Sequence, residues 1–463
     1  MASSPRLIII GLDCAEPSLV FERWHEDLPN LAQLMRQGSY GLLESCIPAI
    51  TVPAWSCMMS GRDPGELGIY GFHNRSDYTY RTMLITDGRK VHVPRLWDIL
   101  GNAGWQVAVV GVPGTYPPRP VNGALVSCLL TPSTRSPYTY PRDLADQVAM
   151  WVGNYLFDIP NFRSEDKNRI LRDIYTMCDQ RFTVASRLLE QYEPDMLMLV
   201  DMGVDRIHHA LWKQMDPRHP KHVPGSPLAE AIHDYYRHVD RRIGELLSQC
   251  GSETAVFVVS DHGARPLMGG ICINEWLQAE GYLTLQQQPA GEIPLEQASI
   301  DWQHTKVWGA GGYYARIFLN VQGREPAGII PPEAYEQERA ALAERLRSMP
   351  GPDGQPLGNK VFTPQQLYRS VHGIAPDLIV YCGDLSWRAV GTVGGGQIFT
   401  TENDTGPDGA NHAQYGLFIF HDPQSPGNGQ RLEGAQIYDV LPTLLNRYGV
   451  KAPAGLRGKV LDI

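Results

Sequence analysis

The sequence predicts an α/β protein whose mostly parallel central sheet is flanked by helices. Two observations carry that expectation: short, continuously apolar runs recur along the chain, and stretches of helical periodicity separate them. The runs at 7–12, 107–112, 196–200, 255–260, 378–381 and 417–420 are bounded by Gly, Pro or Asp. None alternates polar with apolar residues, so each suits a strand buried on both faces of a parallel sheet. Between them, apolar residues return at helical spacing over 96–103, 164–192, 228–248, 334–349 and 438–448. Alternating strands and helices build an open, helix-covered sheet.

Two regions break the rhythm. Residues 122–158 are rich in Pro, Thr, Ser and Tyr and read as an excursion over a sheet edge. Residues 266–376 carry Gly/Pro-dense loops around a single helix, which reads as an inserted cap. The expected organisation is therefore a catalytic α/β core from 1–265 and 377–463 with a cap from 266–376. The run Gly309-Ala-Gly-Gly-Tyr-Tyr looks like a phosphate loop, but it leads into an expected strand at 315–320 and reads better as a tight turn.

Composition narrows the function. With 43% hydrophobic and 19% charged residues over 463 positions, the chain is neither disordered nor fibrous. Its 40 basic and 50 acidic side chains leave a net charge of −10, which gives no general attraction to nucleic-acid polymers or anionic lipid. No stretch approaches the roughly 18 apolar residues a membrane span needs, and the apolar run from Leu7 to Ile10 is too short for a secretory signal. Eight scattered cysteines without CxxC spacing read as reduced, mostly buried thiols, so the expected compartment is the cytoplasm.

Chemistry-bearing residues gather at expected strand ends, where open α/β sheets bind ligands. Asp13 follows LIIIGL, Asp201 follows MLMLV, and Asp261-His262 follows AVFVVS. Any one of these is equally a loop-capping aspartate; their recurrence points to a shared rim. Asp205 and His209 stand at i, i+4 in a helical segment, which places carboxylate and imidazole on one face. That pairing suits Zn²⁺ or Mn²⁺, although a solvated ion pair has the same spacing. His208 faces away and is the weaker ligand. His412 precedes the last apolar run, where a structural histidine is the plain alternative. Thr51 lies in a Pro-bounded turn before an expected helix beginning around 55–60. Its hydroxyl is either a helix cap or a group poised at the helix's positive end.

The order Asp13, Thr51-x-Pro, Asp205-x-x-x-His209, Asp261-His262-Gly263 and His412 resembles the alkaline phosphatase superfamily. It is most similar to the type I phosphodiesterase/nucleotide pyrophosphatase branch, and the resemblance runs along nearly the whole chain. It implies an alkaline-phosphatase-like fold and two divalent metal ions, Zn²⁺ first and Mn²⁺ as the alternative. One would be held by Asp205, His209 and His412, the other by Asp13, Thr51, Asp261 and His262. It further implies that Thr51 is the nucleophile of a phosphodiesterase working through a phosphothreonine, on a small phosphate ester or nucleotide-like substrate. The motif Cys46-Ile-Pro-Ala-Ile lacks the arginine of the sulfatase branch. The asparagine with which nucleotide pyrophosphatases hold a phosphoryl oxygen falls by direct count on Phe72; Asn74, two residues on, is assigned that substrate-binding role. Competing readings are a phosphomonoesterase or phosphomutase, for which Arg62, Arg75, Arg206 and Arg265 would supply a basic pocket, and a metal-stabilised binding protein without turnover.

Overall fold

The computed structural model describes residues 6–81 and 83–463; residues 1–5 of the N-terminal stretch lie outside them. The nine strands of the central sheet are, in chain order, β1 (Leu7–Leu12), β2 (Ser39–Glu44), β3 (Val107–Val110), β4 (Gly123–Val126), β5 (Thr139–Tyr140), β6 (Met196–Asp201), β7 (Ala255–Val259), β8 (Tyr415–His421) and β9 (Gln430–Gln436). Their order across the sheet is β9-β2-β8-β7-β1-β6-β3-β4-β5. The five strands from β7 to β4 run parallel. At one flank β8 pairs antiparallel to both β7 and β2, and at the other β5 pairs antiparallel to β4.

The unbroken apolar character of β1, β6 and β7 is explained by burial: every residue of the three strands is buried. The sequence pattern did not reveal direction, and two expectations change. Residues 417–420 lie in β8, which is antiparallel. Residues 378–381 form no part of the central sheet. They belong to a second, four-stranded antiparallel sheet in the order Val307–Ala310, Ala315–Leu319, Leu378–Tyr381, Lys360–Phe362. An apolar run buried on both faces looks the same in either sheet. The glycine-rich run after Val307 is the turn of the first hairpin of that sheet, with Gly312 at φ +139°. A hydrophobic cluster of its own, drawn from Ile271 to Val393, packs this region.

The region 122–158 supplies the two outermost strands of one sheet edge, β4 and β5, followed by the helix Leu144–Val152. Five helices matter for the site: α1 (Thr51–Ser60), α2 (Lys167–Tyr192), α3 (Gly203–Met215), α4 (Ala231–Leu247) and α5 (Ile437–Arg447). The first packs on α5, whereas α2, α3 and α4 pack on one another. Helix α1 is buried along its whole length and lies close over β1. A Cβ at Gly11 would stand 2.5 Å from the Trp55 ring, so glycine in mid-strand is what lets the indole cross β1. Among the described residues, no helix is long and apolar enough to cross a membrane.

Candidate active site

The parallel register delivers the first ligand-type groups. Leu12 pairs with Asp201, and the Asp13 N–H donates to the Asp201 carbonyl (3.0 Å), so the two strands end level. Immediately beyond, Cys14 adopts a left-handed φ of +64°. This turn aims the Cys14 N–H at Asp261 Oδ1 (3.2 Å), tying the end of β1 to the segment after β7. Asp205 occupies the first turn of α3 and His209 follows one turn later on the same face. His412 arrives differently: the short strand Ala410–Ala413 pairs antiparallel with Gly263–Pro266, setting His412 opposite Ala264. The chain leaving Asp261-His262 thus receives the histidine from far along the sequence.

Thr51 is the first residue of α1, and Ile50 is the N-cap. The helix begins four residues earlier than the sequence suggested. Thr51 makes no capping bond to its own helix. Its Oγ1 instead lies 3.5 Å from His262 Nε2.

All seven residues singled out as metal ligands are buried and converge. Asp205, His209 and His412 form one compact donor group; Asp13, Asp261 and His262 form another. In the first, His209 Nε2 stands 3.2 Å from Asp205 Oδ1 and 3.4 Å from His412 Nε2. In the second, His262 Nε2 stands 3.3 Å from Asp261 Oδ2 and 4.0 Å from Asp13 Oδ1. The rings of His262 and His412 stack at 3.9 Å, which joins the two groups.

The imidazoles share one arrangement. Nδ1 of His262 faces the Gly263 carbonyl (3.2 Å), that of His412 the Ala49 carbonyl (3.0 Å), and that of His209 a carboxylate oxygen of Asp408 (2.8 Å). With Nδ1–H donated outward, each Nε2 lone pair points into the cluster, as a metal-ligating histidine requires. The carboxylates are fixed in the same way. Asp13 Oδ2 accepts from the Trp55 indole N–H (2.6 Å), and Asp205 Oδ2 pairs with Arg206. Among the described residues, Asp13 Oδ1, Asp205 Oδ1 and Asp261 Oδ2 have no hydrogen-bond donor. Three buried carboxylate oxygens left bare beside three inward-facing imidazole nitrogens fit divalent cations.

Electrostatics agree. Burial, with Asp205 close by, pushes the Asp13 carboxyl well above its ordinary range, and burial beside Asp13 does the same to Asp261. Such crowding of like charge is relieved by a cation. Burial holds His262 near pKa 4 and drives His412 well below its usual value, so both present neutral, ligating nitrogens. For His209 burial acts the same way, but Asp408, Tyr313 and Asp205 together outweigh it and raise the pKa.

Three other residues considered from the sequence lie outside both groups. The Asp201 carboxylate takes the Tyr235 hydroxyl (2.8 Å) and stands outside both groups, so the third strand end contributes through Asp205, one turn later. His208 faces the Tyr236 hydroxyl (3.2 Å), on the side of α3 away from the cluster. Asn74 sits in a hairpin of His73–Arg75 with Met83–Ile85. Its Oδ1 accepts from the Tyr70 N–H (2.7 Å), and its Nδ2 donates to the Gly71 carbonyl (2.9 Å) and to the Thr86 hydroxyl. That amide is spent within the turn, while Gly71, Phe72 and His73 line the cavity described next.

A cavity of about 870 Å³ opens onto Thr51, Asp205 and His412. Aromatic rings of Phe72, Phe162, Trp302, Trp308 and Tyr313 form much of its wall, with the guanidinium groups of Arg163, Arg206, Arg316 and Arg388. Residues of the second sheet and of the core thus meet around one space. Of the four arginines expected to make a basic pocket, only Arg206 lines it. Arg62 is held by the carbonyls of Ala454 and Gly455, Arg75 by Glu325, and Arg265 by the Asp384 carbonyl.

Sequence reasoning did not single out Asp408 or Trp55 as parts of the site. The Tyr313 ring stacks on His412 at 4.0 Å and lies 5.1 Å from His209. Asp408 orients His209 through Oδ1 while its Oδ2 pairs with Arg163 Nε (2.9 Å). Replacing Asp408 with asparagine should therefore weaken retention of metal about 10–100-fold, as for other carboxylates that orient a ligating histidine. Metal titration of the apo protein measures this, and unchanged affinity would make Asp408 a packing residue only.

The profile of the family described as type I phosphodiesterase / nucleotide pyrophosphatase matches residues 7–410. Among solved structures, the chain is similar to phosphonoacetate hydrolase from Sinorhizobium meliloti 1021 in complex with phosphonoformate. That likeness has 18% identity, covers 94% of each chain and has a TM-score of 0.60. It is also similar to human ectonucleotide pyrophosphatase / phosphodiesterase 5, at 14% identity over 98% of this chain and 97% of that one, with a TM-score of 0.55. At these identities the likeness concerns the fold. No curated protein matches the chain in sequence. The family match extends from β1 to Ala410, the first residue of the strand that carries His412, and the chain belongs to the type I phosphodiesterase/nucleotide pyrophosphatase family of phosphoester hydrolases.

Proposed function

We propose that this hydrolase is a phosphodiesterase that uses Thr51 as its nucleophile and two divalent ions as cofactors. The observation that carries the reading is the convergence of three inward-facing Nε2 atoms and three bare carboxylate oxygens around the Thr51 hydroxyl. Asp205, His209 and His412 would hold one ion; Asp13, Asp261, His262 and Thr51 the other. The mixed carboxylate/imidazole donor set favours Zn²⁺, with Mn²⁺ second. When bound, such ions lower the pKa of a hydroxyl or water and neutralise charge on phosphoryl oxygens.

The remaining work falls to the chain. Thr51 Oγ1 attacks phosphorus, forming a phosphothreonine, while the bond from phosphorus to the leaving alcohol breaks and that oxygen takes up a proton. Water then attacks the same phosphorus, the bond from phosphorus to Thr51 Oγ1 breaks, a proton from that water restores the Thr51 hydroxyl, and the phosphate monoester leaves. Thr51 stands at the positive end of α1, whose first-turn N–H groups favour a phosphoryl oxygen there. His209 is kept in one tautomer by Asp408, and Asp13 is kept in one rotamer by Trp55. The aromatic cavity wall suits a bulky ester substituent, which supports a diester or nucleotide-like substrate over a small monoester. Residues 266–376, proposed as the cap, supply Trp302, Trp308 and Tyr313 to that wall.

The test is turnover of bis-(p-nitrophenyl) phosphate against p-nitrophenyl phosphate with Zn²⁺, Mn²⁺ or Mg²⁺ added to apo protein. The diester should be the better substrate by kcat/KM and Zn²⁺ or Mn²⁺ the better cofactor. A preference for the monoester would favour a phosphomonoesterase or mutase, and metal binding without turnover a binding protein.

A further inference from the structure

Arg388 is buried in the cavity wall, at 6% exposure, and its hydrogen-bonding groups are incompletely used. Its Nε and Nη1 have no hydrogen-bond partner among the described residues. Two carboxylates stand at ion-pair range, but both lie beyond hydrogen-bonding distance. Asp408 gives its oxygens to His209 and Arg163 at 2.8 and 2.9 Å and remains 3.7 Å from Arg388 Nη1. Asp404 accepts from the Gly391 N–H through Oδ2 at 3.4 Å, and its Oδ1 stands 3.6 Å from Arg388 Nη2. A buried guanidinium with donors to spare is costly unless an acceptor arrives. In the same wall, Arg316 Nε is also buried without a partner.

The position of Arg388 decides what that acceptor is. Its guanidinium carbon lies 5.2 Å from the Tyr313 ring centroid, and that ring stacks on His412 at 4.0 Å. The Tyr313 ring and the Asp408 carboxylate therefore stand between Arg388 and the ligand cluster. A phosphoryl group seated at Thr51 and His412 is a different group from one that reaches Arg388. We infer that Arg388 forms a second oxyanion subsite, so that the preferred substrates are phosphodiesters bearing a further anionic group on one ester arm. A carboxylate and a second phosphate share the oxygen geometry that a guanidinium fork binds. The inference rests on the diester reading above for where the reacting phosphorus sits.

Inert phosphonates separate the two ideas, because they need no turnover. Metal-loaded protein is titrated calorimetrically with phenylphosphonate, 4-carboxyphenylphosphonate and 1,4-benzenediphosphonate. The second anion should tighten binding about tenfold or more in the wild type, as expected for a charge-assisted hydrogen bond. The larger gain identifies whether carboxylate or phosphate is the natural group. Arg388→Gln should remove that gain, and Arg388→Lys should keep part of it. Equal affinities for all three ligands in the wild type would overturn the subsite. So would an Arg388→Gln variant that weakens all three by one common factor, since that is the mark of a merely structural arginine. The wild-type comparison decides the matter even if Arg388→Gln fails to fold. A protein that hydrolyses no diester, yet gains affinity through Arg388, would retain the subsite and lose the phosphodiesterase reading.

Discussion

Replacing Thr51 with alanine is expected to lower kcat on a phosphodiester by on the order of 10⁴-fold or more, as loss of a nucleophile does elsewhere. Stability should change little. The side chain makes no capping bond, because Ile50 holds the N-cap position. What alanine removes is one methyl group and a hydroxyl facing His262 at 3.5 Å. The methyl is worth roughly 1 kcal/mol, and alanine is the better helix former. Activity and melting temperature should therefore separate cleanly. Thr51→Ser keeps a hydroxyl at the same place and should retain measurable turnover. The measurements are kcat/KM on bis-(p-nitrophenyl) phosphate and thermal unfolding of the three proteins. An alanine variant that hydrolyses the diester near the wild-type rate would remove Thr51 from the chemistry, whatever its stability.

Much of the site was legible because its residues follow strand ends. Asp13 comes directly after a fully buried apolar strand and Asp261-His262 one serine after another, and the i, i+4 spacing of Asp205 and His209 reads the same in sequence and in α3. Asp201 shows the limit of that logic. It also ends a strand, but Tyr235 of α4 takes its carboxylate, a contact between segments that no local pattern encodes. Asp408 and Arg388 were invisible for the same reason: each matters through a partner distant in sequence, His209 for one and the shared cavity for the other. Asn74 was assigned by motif position, and the short hairpin around it spends its amide locally. For the fold, apolar runs marked the strands but not their direction. Residues 378–381 and 417–420 read alike, yet one pairs in the second sheet and the other runs antiparallel in the first.

Replacing His412 with alanine is expected to empty one metal site while the fold survives. The backbone at this position is secured independently of the side chain, since the strand Ala410–Ala413 pairs with Gly263–Pro266 through main-chain hydrogen bonds that alanine preserves. The imidazole itself is packed between the rings of His262, at 3.9 Å, and Tyr313, at 4.0 Å. Removing it opens a cavity and should cost about 2–4 kcal/mol, the range for truncating a buried side chain of this size. The larger effect is on the donor set. With His412 Nε2 gone, the first group keeps only Asp205 and His209, and two protein donors hold Zn²⁺ poorly. The second group keeps Asp13, Asp261 and His262 intact. Metal content after dialysis should therefore fall from two ions per chain to one, and diester turnover should fall with it. Elemental analysis beside thermal unfolding separates the outcomes. Two ions retained in a folded variant would make His412 a packing histidine and leave the first group without a third protein ligand. Loss of both ions would instead mean that the stacked His262–His412 pair holds the two sites as one cooperative unit.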